Sequence, residues 1–104
     1  MRLFIRKEAA KKDNSHLKVR VKDGIMDETP YPPDGKRLDL SGFTGTCDRN
    51  VYHDLGRDEC ILVEFDWDTR KRIPKEYVKY VEDVLDEFPF HYYFGKDDLE
   101  IIEP

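Results

Sequence analysis

Alternation between polar and apolar residues at the start of the chain predicts two β-strands. The alternation runs through residues 2–6 and returns in residues 16–22, with a polar segment between them. A strand with one buried face and one face in water has this period of two. We therefore expect residues 1–22 to form a β-hairpin. The side chains expected to face the core are Leu3, Ile5, Leu17, Val19 and Val21.

The strongest strand signal lies in residues 59–68, and a helical pattern follows it. Apolar residues occupy the odd positions from Ile61 to Trp67, which predicts a core strand. From residue 74 to residue 88 the apolar residues recur at three- and four-residue steps, the spacing of one helical face. Pro74 suits the first turn of that helix, and Pro89 would end it. The expected buried stripe consists of Tyr77, Val81, Val84, Leu85 and Phe88.

The remaining segments predict a second hairpin and a long irregular region. Two short strands, residues 90–94 and 99–102, flank a polar turn. Residues 23–59 are less regular, because glycine and proline interrupt both helical and strand patterns. Within them, the sequence proline, aspartate, glycine at 33–35 predicts a turn that joins neighbouring extended segments. The rest of this region is either a functional loop or contains a strand that the pattern hides.

Together these elements predict one α+β domain over residues 1–104. Its small antiparallel sheet would be built from two hairpins and a central strand, with one amphipathic helix packed on one face. Three regions follow in order: a basic hairpin (1–22), an irregular Pro/Gly-rich region (23–59) and a strand–helix–hairpin unit (60–104). The length suits a single core, and six Phe, six Tyr and one Trp supply the bulky apolar area that disordered chains lack.

Charge is divided unevenly along the chain. Residues 2–22 carry a net charge of +6 and residues 23–104 a net charge of −11. One face of the predicted first hairpin would gather Arg2, Phe4, Arg6, Lys18, Arg20 and Lys22. Cations that contact phosphate, beside a ring on which a base can stack, favour a nucleic-acid-binding surface. The same cations could instead pair with Glu64, Asp66 and Asp68 of the central strand, or simply face water.

Acidic residues crowd the end of the predicted helix, where the helix dipole disfavours them. Their placement therefore indicates a role other than local stability, and the aromatic residues that follow resemble interface anchors. We predict a binding site for a basic protein surface, formed by Glu82, Asp83, Asp86, Glu87, Tyr92 and Tyr93. Two simpler interpretations stay open: the acids serve solubility or neutralise the basic hairpin, and the aromatic residues pack within the fold.

No catalytic residue, metal site or cofactor is predicted. Cys47 and Cys60 could be free thiols, a disulfide or half of a metal site, and with His53 they could supply three zinc ligands, but their spacing is unlike that of structural zinc sites. The carboxylate row of the central strand could bind Mg²⁺ and support phosphodiester hydrolysis. However, three alternate residues on a strand spread over about 13 Å, too far for one ion to contact all of them.

The sequence thus indicates a non-enzymatic, small acidic interaction protein. It would be an inhibitor or adaptor that binds a basic protein surface, which could itself be a nucleic-acid-binding groove. A nucleic-acid-binding module built on the basic hairpin is the first alternative, and a Mg²⁺-dependent phosphodiesterase is the second. No apolar run is long enough for a signal peptide or a membrane span, so we expect a cytoplasmic protein without a membrane partner.

Overall fold

The computed structural model describes residues 16–103, which form five strands and three short helices joined by loops. The strands are β1 (His16–Val21), β2 (Thr44–Asp48), β3 (Cys60–Phe65), β4 (His91–Gly95) and β5 (Leu99–Glu103). The helices are α1 (Arg49–Asp54), α2 (Trp67–Arg70) and α3 (Lys75–Asp83), and a 3₁₀ turn, Lys96–Asp98, links β4 to β5. The chain is therefore an α+β protein with a small antiparallel sheet, as the sequence pattern predicts.

The strand order is β4-β3-β2-β1-β5, and it contradicts the predicted second hairpin. Strand β1 pairs with β2 on one side and with β5 on the other, so two strands distant in sequence occupy its edges. Residues 2–6, the other half of the predicted first hairpin, lie outside the described residues. The predicted second hairpin is wrong, because β4 pairs with β3 while β5 pairs with β1.

The connection between β4 and β5 shows that the sheet is curled. A flat sheet of five strands would hold its two edge strands about 19 Å apart. A 3₁₀ turn covers only about 2 Å per residue, so the three residues Lys96–Asp98 cannot bridge that distance. The two edges must therefore converge at this turn, where the backbone N–H of Lys22 also donates to the carbonyl of Asp98 at 2.9 Å. The sheet is therefore strongly curled.

The alternating patterns of β1 and β3 correctly identify the core face. Leu17, Val19 and Val21 are almost fully buried, as are the predicted residues of β3. Trp67 was expected to extend that buried row, but it is 73 % exposed. The reason is Asp66, whose carboxylate accepts the Thr69 backbone N–H at 2.9 Å and so caps α2 where a longer strand was expected.

Helix α3 is shorter than the apolar stripe predicts. Its buried residues are Tyr77 and Val81, whereas Val84, Leu85 and Phe88 lie beyond the helix and are substantially exposed. Asp86 adopts a left-handed backbone conformation with φ of 57°, which turns the chain away from the helix axis. Exposed apolar side chains therefore follow the helix where a continuous buried stripe was expected.

The irregular region contains elements that the sequence pattern hides. Strand β2 and helix α1 lie in its second half, while the predicted turn is confirmed by the bridge between Tyr31 and Lys36 and by φ of 71° at Gly35. Strand β2 needs Gly45, since a Cβ there would lie 2.2 Å from the Glu64 carbonyl oxygen of β3. Gly45 therefore permits the close pairing of β2 with β3. The same glycine weakens the strand signal in the sequence.

Candidate functional site

A groove of about 560 Å³ opens between α3, residues 25–31 and β4. We call it the aromatic groove, because most of the bulky side chains that line it carry rings. These include Tyr77, Tyr80, Phe88, Tyr92 and Tyr93. Its charged lining consists of Asp27, Glu28, Glu87 and Asp98, and no lysine or arginine of residues 16–103 lines it. The groove therefore combines ring faces with negative charge.

Asp27 holds the three walls of the groove together. It is only 5 % exposed, and its position is fixed by a backbone hydrogen bond from its N–H to the Leu38 carbonyl at 2.8 Å. The Tyr77 hydroxyl donates to Asp27 Oδ2 at 3.0 Å, and the Tyr92 hydroxyl donates to Oδ1 at 3.2 Å. A third donor, the Thr29 backbone N–H, lies 2.9 Å from Oδ1. One carboxylate thus joins the loop to α3 through Tyr77 and to β4 through Tyr92.

The tyrosine hydroxyls that donate to Asp27 stay protonated at neutral pH, so their hydrogen bonds to the carboxylate persist. Burial raises the pKa of Tyr77 far above its usual range, and the adjacent charge of Asp27 raises it further. Burial also raises the pKa of Tyr92. Both hydroxyls therefore remain protonated donors to the carboxylate. Burial lowers the pKa of His91 despite the nearby carboxylates of Glu64 and Glu87, so His91 adds little positive charge at pH 7.

The rings around Asp27 pack edge to face. Tyr31 and Tyr77 have ring centroids 5.4 Å apart at an interplanar angle of 86°, while Phe88 packs against His91 at 5.1 Å. The quadrupole of an aromatic ring makes its faces partially negative. These faces attract cations, and they do so more strongly where water is partly excluded. A groove with such walls and four carboxylates is suited to a lysine or arginine side chain or another organic cation.

The structure does not bring all of the predicted partner-binding residues together. Glu87, Tyr92 and Tyr93 line the aromatic groove. Glu82 and Asp83 lie on another face of α3, beside a smaller depression that Lys75 and Lys79 also line. The Asp83 carboxylate is 3.1 Å from the Lys79 ammonium group, and Asp86 occupies the turn after the helix and lines neither depression.

Sequence reasoning missed Asp27 and assigned Tyr77 only to the core. Nothing in the local pattern distinguishes Asp27 from the other acids of residues 23–59. Its partners lie 50 and 65 positions away in the chain. Only the folded arrangement shows that these three polar groups meet.

The cations predicted to bind nucleic acid are partly paired with acids. Arg2, Phe4 and Arg6 lie outside the described residues. Arg20 contacts Glu100 of β5 at 2.9 Å and Asp23 at 3.8 Å, whereas Lys22 is exposed. The direct ladder between β1 and β3 is wrong, because β2 separates them and places Thr46 between Lys18 and Glu64.

The carboxylate row proposed for Mg²⁺ is occupied by structural contacts. Glu64 lies 3.3 Å from the Arg70 guanidinium group. Asp66 accepts hydrogen bonds from the Thr44 hydroxyl and the Thr69 backbone. Burial alone would raise the pKa of Asp66, but these hydrogen bonds outweigh it and lower the pKa. Within residues 16–103, no three His, Cys, Asp or Glu side chains are grouped so that they could hold a metal ion.

Both cysteines are free thiols. Cys47 is buried, and burial together with the charge of Asp48 raises its pKa to about 12, which disfavours the reactive thiolate. Cys60 is exposed and lies beside Gly95 at the edge of the aromatic groove. The two side chains therefore do not form a disulfide.

Comparison with known proteins assigns no family to this chain. No protein-family model, curated protein or solved structure matches it. No helix within residues 16–103 has the length and apolar character needed to cross a membrane.

Proposed function

We propose that this chain is a non-enzymatic interaction protein that binds a basic segment of another protein in the aromatic groove. The observation that carries the proposal is the charge of the groove. Besides the buried Asp27, its lining contains the more exposed acids Glu28, Glu87 and Asp98, and no lysine or arginine among the described residues lines it. A basic partner would neutralise carboxylates that the described part of the protein leaves without an ion pair.

The aromatic lining supports the same conclusion. Tyr93 is 60 % exposed and Phe88 45 % exposed, although both are large rings of the kind that dominate binding energy at protein interfaces. A cationic side chain packed on such rings gains about 0.5–2 kcal/mol, depending on how much water is excluded. The groove thus offers both an apolar contact and a charge contact to lysine and arginine.

Binding of short labelled peptides would test the proposal. Three eight-residue peptides would alternate threonine with lysine, with glutamate or with serine, and anisotropy would be measured at about 50 mM and about 150 mM salt, where screening differs. We expect binding of the basic peptide only. Absence of binding to the basic peptide at both salt concentrations would overturn the proposal.

A matched pair of charge-reversal variants distinguishes peptide binding in the groove from general electrostatic attraction to the protein. Glu28→Lys with Glu87→Lys reverses two acids of the groove. Glu82→Lys with Asp97→Lys makes the same change in net charge at two exposed acids outside it. We expect the groove variant to lose at least about tenfold in affinity and the control less than about threefold. Equal losses would show that the peptide responds only to net charge.

A further inference from the structure

Strand β4 forms one edge of the sheet and bounds the aromatic groove. It pairs with β3 on one side, and no other strand among residues 16–103 pairs with it. All five residues of β4, His91–Gly95, line the groove, although successive side chains of a strand point to opposite faces. Because side chains from both faces of this edge strand line the groove, the groove runs along the outer edge of β4.

Two hydrogen bonds show which backbone groups of β4 point outward. The Phe90 carbonyl accepts the Phe65 N–H of β3 at 2.9 Å, so the backbone groups of residue 90 face β3. The Gly95 N–H instead donates to the Asp98 carboxylate at 3.2 Å, away from β3. Because these directions alternate along a strand, the N–H and C=O of His91 and Tyr93 point to the outer edge.

We propose that the basic segment binds as an added β-strand along the outer edge of β4, paired with the backbone of His91 and Tyr93. This inference rests on the proposed function and specifies its geometry. Strand addition supplies affinity through backbone hydrogen bonds and specificity through alternate side chains. The partner is therefore an extended peptide with cations at alternate positions.

The positions of the acids agree with an extended partner. Glu87 precedes β4 and Asp98 follows it, and both line the groove. Five residues of strand span about 14 Å, so lysine or arginine side chains on one face of an added strand recur about every 7 Å along it. Such a peptide presents cations toward both ends of β4, near Glu87 and Asp98.

Backbone methylation of the peptide tests strand addition separately from groove binding. Two versions of the lysine–threonine peptide would carry N-methyl groups either at all odd positions or at all even positions. They have the same charge and composition, but in an added strand only one set of N–H groups faces β4. We expect one version to bind within about threefold of the parent peptide and the other at least about tenfold more weakly, because it loses two hydrogen bonds.

Substitution at the edge of β4 tests the same geometry from the protein side. Tyr93→Pro removes an N–H that points away from β3, and proline is tolerated at such edge positions. Tyr93→Ala is the matched control, since it removes the ring but keeps the N–H. We expect the proline variant to bind the parent peptide at least about fivefold more weakly than the alanine variant, with circular dichroism and thermal unfolding confirming that both are folded.

The outcomes distinguish the two proposals. If the parent peptide binds and both methylated versions bind equally well, strand addition is wrong and binding in the groove stands. If the parent peptide does not bind at all, both proposals fail. Should Tyr93→Pro not fold, the methylated peptides still decide the question with the wild-type protein.

Discussion

The aromatic groove and the outer face of β1 carry opposite charges. They differ in whether those charges form ion pairs within the protein. On β1, Arg20 lies within ion-pair distance of Glu100 and Asp23, so its charge is neutralised inside the protein. In the groove, Asp27 is held by two tyrosine hydroxyls and a backbone N–H, all neutral donors, and Glu28, Glu87 and Asp98 form no ion pair among the described residues.

This difference shows that the sum of the charges does not reveal which of them are paired within the fold. Residues 2–22 carry the largest excess of positive charge, and this excess points to nucleic acid when only the sequence is considered. The fold places Glu100 of β5 and Asp23 of the loop after β1 beside Arg20. The acids that line the groove form no such ion pair among the described residues.

The largest expected effect concerns Asp27. Asp27→Ala leaves the hydroxyls of Tyr77 and Tyr92 without their acceptor, and we expect a loss of about 3 kcal/mol in the free energy of unfolding. Urea denaturation monitored by tryptophan fluorescence and by circular dichroism would measure it. Asp39→Ala is the control, because this exposed carboxylate accepts mainly from Ser41 nearby. A loss below about 1 kcal/mol in Asp27→Ala would show that Asp27 does not hold the groove together.

A smaller effect is expected at Asp66, the residue that caps α2. Asp66→Ala removes the cap of α2 and the hydrogen bond from Thr44, and we expect a loss of about 1.5 kcal/mol at pH 7. Asp68→Ala, in the same helix but without the cap bond, should change stability by less than about 0.5 kcal/mol.

The pH dependence of the Asp66 effect has a definite sign. The folded state lowers the pKa of Asp66 below its usual value of 3.8, so the unfolded state binds the proton more readily. The stabilisation is complete above that usual value and is lost as pH falls through the lower folded-state pKa. Urea titrations at decreasing pH should therefore bring Asp66→Ala closer to wild type. A constant difference from pH 7 to the acid limit would contradict the assigned hydrogen bonds.

The smallest effect is expected for the ion pair between Arg20 and Glu100. Both side chains are partly exposed, so a double-mutant cycle with Arg20→Gln and Glu100→Gln should give a coupling free energy of about 0.5 kcal/mol. Zero coupling would show that the charge of Arg20 is not neutralised by Glu100.

Nucleic-acid titration provides the matching functional measurement. If the acids beside Arg20 offset the positive charge of β1, the wild-type protein should not retain single-stranded or duplex DNA at about 0.2 M salt. Tight, strongly salt-dependent binding that falls on Lys18→Ala with Arg20→Ala would favour the nucleic-acid hypothesis over the groove.

Several elements could be predicted from the sequence because their signals are local. The period of two in β1 and β3 identifies the buried residues of both strands, and the turn at residues 33–35 follows from the backbone preferences of its three residues. Strand β2 could not be predicted in this way. Its sequence contains Gly45, whose missing side chain is explained only by the approach of the Glu64 carbonyl.

The candidate site could be predicted only in part. Glu87, Tyr92 and Tyr93 were selected as acids and rings close together in sequence, and they also lie together in the groove. Glu82 and Asp83 are equally close in sequence but line another depression, because α3 ends at Asp83 and the left-handed backbone of Asp86 turns the chain before Glu87.

The sequence by itself determined the fold class, the buried faces of β1 and β3 and the uneven distribution of charge, since each depends on residue type and short-range spacing. The tertiary structure decided the strand order, the pairing of Arg20 with β5 and the meeting of Asp27 with Tyr77 and Tyr92. These features depend on contacts between distant segments. Such contacts form only when the curled sheet and α3 enclose the core, so no local pattern of residues encodes them separately.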